Sequence, residues 1–65
     1  MSDIQRLLDE LEKEYPLVHE TYNQLLSGGY TKEDVVSSYN GGGTFKEDVD
    51  KARGKYTEII KEMGL

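Results

Sequence analysis

"GGYTKEDVVSSYNGGGTFKEDVDKARG", residues 28–54, carries the word KEDV twice, at 32–35 and 46–49, each time after a glycine-rich break. A repeated word can mean a duplicated functional motif or two helices that start alike. The caps decide between these readings. Before the first copy stands Thr31, an N-cap residue with Asp34 three places on, which is a short form of the capping box. Tyr30 precedes it and is positioned to pack on Val35 as a hydrophobic staple. Before the second copy stands Thr44, with Glu47 three places on and Phe45 between. The two words therefore lie one residue apart relative to their caps and mark two helix starts.

Working outward, the first start opens a short helix over about 31–39, with Val35, Val36 and Tyr39 as its apolar stripe, stopped by Asn40 and Gly41–Gly43. The second opens a long amphipathic helix over about 44–63. Its apolar positions Phe45, Val49, Ala52, Tyr56, Ile59 and Met63 alternate steps of four and three. Gly54 falls on the opposite face of that helix, where it costs about 1 kcal/mol relative to alanine. Lys55 and Lys61 suit the negative pole at its end.

Upstream, Ser2 with Gln5 has the form of a capping box, and Ile4, Leu8, Leu11, Tyr15, Val18, Tyr22 and Leu25 keep one apolar phase through Pro16, widened by Leu7 and Leu26. Proline disfavours helical geometry at Tyr15, so a break is one reading. The uninterrupted phase favours one long helix, about 3–27, kinked at Pro16 and closed by Gly28 or Gly29 in a left-handed cap. The expected fold is all-α, a single small helical domain over 1–65. An antiparallel pair of long helices is crossed at its ends by the short one. The 3.5-residue spacing of both stripes also suits self-association as a homodimer.

Sixty-five residues can bury only about 60% of the unfolded chain's surface, so the core is thin and leaves little room for a catalytic cavity. There is no cysteine, and no apolar run exceeds two residues, which excludes a thiolate metal site and leads us to expect a cytoplasmic protein without a membrane segment. The net charge is −5, with three basic and seven acidic residues over 1–33 against five and six over 34–65. That field disfavours nucleic acid and favours a basic partner surface facing the N-terminal half.

His19, the only histidine, stands beside the stripe residue Val18 and reads as a boundary residue. Asp48, Asp50 and Gly54 fail the calcium-loop spacing, since Ala52 and Ile59 occupy ligand positions. "NGGGTFK" (40–46) lacks the lysine-serine/threonine ending of a phosphate loop and reads as a flexible joint. No catalytic residue, metal ligand or cofactor is expected. Five tyrosines without a tryptophan are informative, because tyrosine joins apolar area to a polar handle and is enriched in interface hot spots. The candidate partner-binding residues are Tyr30, Tyr39, Tyr22, Val36 and Phe45.

Residues 25–53, "LLSGGYTKEDVVSSYNGGGTFKEDVDKAR", resemble the ubiquitin-associated (UBA) domain family in a helix ending on two leucines, a glycine-tyrosine loop, a capped acidic helix, a glycine/asparagine loop and a third helix. The resemblance implies a three-helix module with a ubiquitin-binding patch at Gly28, Gly29 and Tyr30 and around Ala52 and Arg53. Gly28 stands where that family carries its contact methionine, the terminal leucine pair is missing, and the third helix is ten residues longer.

The function expected from these residues is a non-enzymatic regulatory or adaptor role, of the small-inhibitor type encoded by phages and mobile elements, docking an acidic, tyrosine-containing helical surface on a larger protein. The alternative is a helix-turn-helix reading, with Lys46, Lys51, Arg53 and Lys55 on the recognition helix beside Glu47, Asp48 and Asp50, or its reverse, an acidic inhibitor that imitates DNA.

Overall fold

The computed structural model describes residues 3–65, so the Ser2 cap lies outside the described residues. Helix accounts for 78% of the described residues and none is in a strand, which bears out the all-α class. There are five helices among them, not three: α1 (Asp3–Glu14), α2 (Pro16–Ser27), α3 (Lys32–Asn40), α4 (Gly43–Ala52) and α5 (Thr57–Glu62). The radius of gyration, 10.9 Å, is that of a fully folded chain, for which about 11 Å is expected at this length.

The expected helix over 3–27 is broken at one residue. Tyr15 has φ −136° and ψ 71°, outside helical geometry, and Pro16 is the first residue of α2. At that position proline lacks only an amide that would be unpaired anyway. The Tyr15 amide still bonds the Leu11 carbonyl at 2.7 Å and the His19 amide bonds the Tyr15 carbonyl at 3.0 Å, so little hydrogen bonding is lost. Because a single residue leaves the helix, the apolar phase is not reset, and Leu11, Val18 and Tyr22 are all buried.

The expected helix over 44–63 is also divided. α4 stops at Ala52, residues 53–56 form a turn, and Tyr56 has φ −112° and ψ 38°. The Tyr56 amide bonds the Ala52 carbonyl at 2.8 Å, which keeps nearly one helical turn through the gap. The hydroxyl of Thr57 donates to the carbonyls of Arg53 (2.7 Å) and Gly54 (3.3 Å), giving the end of α4 the partners that a continuing helix would have supplied. Glycine's weak helix propensity places the interruption here. The stripe passes through unchanged, since Phe45, Val49, Ala52, Tyr56, Ile59 and Met63 are all buried.

α2 closes as expected, on Gly28 at φ 87°, with the Gly29 and Tyr30 amides both bonding the Gln24 carbonyl. α3 begins with the capping box: Thr31 Oγ1 accepts from the Asp34 amide at 3.1 Å, and Asp34 Oδ2 accepts from the Thr31 amide at 3.0 Å. α4 does not begin on Thr44. Its N-cap is Gly42, without a side-chain bond, and Gly42 and Gly43 take φ values of 76° and 78° that turn the chain between α3 and α4. Lys32 is the first residue of α3 while Lys46 is the fourth of α4, so the two KEDV words are three positions apart relative to their caps rather than one.

α2 packs on α1, α3 and α4, α3 packs on α4, and α4 on α5. The antiparallel pair of long helices is thus replaced by a bundle centred on α2. The deepest side chains are Leu11, Val18, Val49, Ile59, Ile60 and Met63, none exposed to solvent. The two breaks meet: the Tyr15 and Tyr56 rings pack edge to face with centroids 6.4 Å apart and planes at 84°, and the Tyr56 hydroxyl donates to Glu14.

Two glycines predict opposite outcomes. Gly28→Ala meets no atom within 4 Å but is forced to hold φ 87°, and loses about 1 kcal/mol. Gly54→Ala also meets open space, at an ordinary φ, and gains about 0.5 kcal/mol. Urea unfolding midpoints followed by circular dichroism check both signs.

Candidate functional site

A cleft of about 620 Å³ opens between α2, α3 and the start of α4. Leu17 and Thr21, one turn apart, supply the α2 wall, and the Thr21 hydroxyl is satisfied inside the helix by the Leu17 carbonyl at 2.9 Å. The left-handed cap at Gly28 turns the chain so that Gly29 and Tyr30 form one end. A side chain at position 29 would collide with Gln24 Oε1, 2.1 Å from where its Cβ would stand. Asp34, Val35 and Ser38 line the α3 side, and Phe45 comes from the first turn of α4. Leu17 and Tyr30 are 41% and 46% exposed, high for large apolar groups, whereas Val35 and Phe45 beside them are buried. A second, shallower depression of about 430 Å³ lies on α3 over Lys32, Glu33, Val36, Ser37 and Asn40.

Of the candidate partner-binding residues, Tyr30 and Phe45 meet in the main cleft, Val36 lines the second depression, and Tyr22 and Tyr39 line neither. Tyr22 is a core residue whose hydroxyl donates to Glu62 at 2.5 Å. Tyr39 is half-buried and donates to Asp50 at 2.5 Å, with Lys46 Nζ 5.2 Å and the Arg53 guanidinium 5.9 Å from its ring centre. Leu17, Thr21 and Ser38 were not singled out by the sequence, and Val35 only as a stripe and staple residue. Leu17 left one trace, an apolar residue directly beside the stripe residue Val18 where the pattern requires only one.

Among the positions that the UBA resemblance assigns to a patch, Gly29 and Tyr30 line the cleft, Ala52 is buried, and Arg53 Nη1 donates to the Leu65 carbonyl at 2.9 Å. His19 is half-buried, at the margin of the core as its position beside Val18 implied. Among the described residues no group of three or more His, Asp or Glu side chains is placed to hold a metal ion, and no helix is long and apolar enough to cross a membrane.

Carboxylates occupy most of the cations of the would-be recognition helix. Lys46 bonds Asp50 at 2.7 Å, with Arg53 3.9 Å from the same carboxylate, and Lys55 lies 3.0 Å from Glu14 and 3.7 Å from Glu10. The bond from Tyr56, then that from Lys55, holds the Glu14 carboxyl below its ordinary range. Lys46 and then Tyr39 do the same for Asp50. The bond to Glu62, followed by burial, pushes the Tyr22 hydroxyl up to about 12. Burial first, and then Glu14, raises Tyr56. These exposed carboxylates are screened by water and act on stability only modestly.

Compared with protein-family models, with curated proteins and with solved structures, the chain matches none of them.

The titrations set the pH profile of stability. Glu14 and Asp50, depressed in the folded state, contribute stability that is present at neutral pH and lost as pH falls through and below the usual carboxylate range. Tyr22, raised to about 12, contributes stability that is complete below pH 10 and lost as pH rises towards 12. Tyr22→Phe is expected to flatten the alkaline limb and leave the acid limb in place; urea midpoints measured from pH 3 to pH 11.5 check it.

Proposed function

We propose that this chain is a non-enzymatic protein-interaction module, a small regulatory or adaptor protein that docks on a larger protein through the cleft between α2, α3 and α4. The observation that carries the reading is the cleft itself. An apolar floor of Val35 and Phe45 is flanked by Leu17 and Tyr30, two large side chains left more than a third exposed in a chain with little apolar area to spare. Tyr30 presents a broad rigid face with a hydroxyl, the composition of an interface anchor. The acidic surplus of the chain keeps such a surface soluble and steers it towards cationic partners.

The helix-turn-helix alternative has the two-residue connection between α3 and α4 in its favour. Against it stand the pairings of Lys46, Arg53 and Lys55 with Asp50, Glu10 and Glu14, which leave few free cations for phosphate. Self-association through the apolar stripes finds less support, because the C-terminal stripe is buried and most of the N-terminal one is packed in or against the core.

The docking reading predicts that an immobilised wild-type chain retains a stoichiometric protein from a lysate of its source cells. The folded Leu17→Ala/Tyr30→Ala variant is expected to lose that protein, while Leu26→Ala, at a residue 65% exposed but outside the cleft, keeps it. Equal retention by all three chains would falsify the proposal.

A further inference from the structure

Asn40 and Gly41 form the one asparagine–glycine step in the chain, and they fall at the end of α3. Asparagine is a thermolabile residue, and most so before glycine, which has no Cβ to keep its own amide nitrogen from attacking the preceding carboxamide. Asn40 is exposed to solvent, and among the described residues its side chain bonds no partner. The other asparagine, Asn23, is also exposed, but it lies inside α2 and is followed by Gln24. What holds the attacking nitrogen back at Gly41 is its bond to the Ser37 carbonyl, 3.0 Å, in the last turn of α3. The Tyr39 hydroxyl fastens that turn by its bond to Asp50. Around it the turn is loose: Ser37, Ser38 and Asn40 are exposed, no basic side chain offsets the helix dipole there, and three glycines follow.

We propose that Asn40 is a site of spontaneous deamidation, gated by opening of the last turn of α3, and that its isoaspartate product loosens the turn into α4. When the turn opens, the Gly41 amide nitrogen gives up its proton to solvent base and bonds to the side-chain carbonyl carbon of Asn40. The bond from that carbon to the side-chain nitrogen breaks, and the nitrogen takes up a proton and leaves as ammonia. Water then opens the resulting five-membered succinimide at either of its two carbonyl carbons. One opening leaves aspartate at position 40; the other leaves isoaspartate, with the main chain running through the former side chain. In sum a water enters and an ammonia leaves, and nothing is oxidised or reduced. Either product sets a carboxylate at the negative pole of α3. The isoaspartate also lengthens the backbone where only Gly41 and Gly42 connect α3 to α4, and where Gly42 and Gly43 already hold φ values of 76° and 78°. The added length acts between Val35 and Phe45, which those two helices bring together in the cleft.

The test incubates the full chain in warm, mildly alkaline buffer, native and in guanidinium chloride, and follows each asparagine by peptide mapping with mass spectrometry. Asn40 is expected to convert in both states, about tenfold more slowly in the native chain, while Asn23 stays intact. Gly41→Ala, at a φ of −69° that alanine adopts, slows conversion about tenfold in guanidinium chloride, where folding no longer contributes. Tyr39→Phe, which removes the bond to Asp50, speeds the native rate about threefold and leaves the unfolded rate unchanged. The isoaspartate form, separated from its parent by chromatography, unfolds at a lower guanidinium concentration. Asn40 left intact in the native chain after an incubation many times longer than the unfolded chain needs overturns the proposal. So does equal conversion of Asn23, an equal rate in the native and unfolded chains, or an unchanged unfolding midpoint of the isoaspartate form.

Discussion

The contact between Tyr15 and Tyr56 ties the molecule together. Each ring sits at a point where a helix ends, Tyr15 between α1 and α2 and Tyr56 at the start of α5, and the edge-to-face packing brings those two ends into register. An edge-to-face pair contributes about 0.5–1.5 kcal/mol beyond the area it buries. Around it the Tyr56 hydroxyl and the Lys55 ammonium converge on Glu14, so one carboxylate holds residues more than 40 positions apart in sequence. The junction adds a second tie between α1 and the C-terminal end of the bundle, beside the packing of α1 on α2 and of α5 on α4.

The all-α class, the core stripes, the Gly28 cap and the Thr31–Asp34 box were legible in the sequence because each follows from spacing or from a local hydrogen bond. The two breaks were not, and for one shared reason. Apolar phase records which face of a helix is buried; a gap that spans one residue, as at Tyr15, or nearly one helical turn, as over 53–56, leaves the face where it was. Proline and glycine marked both places, but their weight against an intact stripe depends on tertiary partners: the Thr57 hydroxyl on the Arg53 and Gly54 carbonyls, and the Tyr15–Tyr56 contact itself. Thr44 failed as a cap because the paired left-handed glycines start α4 earlier than its side chain would.

The site was half legible. Tyrosine enrichment drew attention to Tyr30, and the stripe drew attention to Phe45, yet the sequence does not say that they share a cleft. That depends on the Gly28 turn and on how α3 reverses into α4. Tyr22 and Tyr39 show why a tyrosine count overstates a recognition surface. Both spend their hydroxyls on the chain's own carboxylates, and Tyr22 is buried. The same internal pairing engages Lys46, Arg53 and Lys55 with the chain's own carboxylates.

The short connections between helices have a consequence in time. One residue links α1 to α2, four link α2 to α3, two link α3 to α4 and four link α4 to α5, so most packing partners are neighbours in sequence and little loop-closure entropy precedes their meeting. Chains of this local topology fold in microseconds to milliseconds. The distant pairs, Tyr22 with Glu62 and Tyr56 with Glu14, close the largest loops, so tyrosine fluorescence in a temperature-jump relaxation reports the final locking of the bundle rather than the growth of its helices.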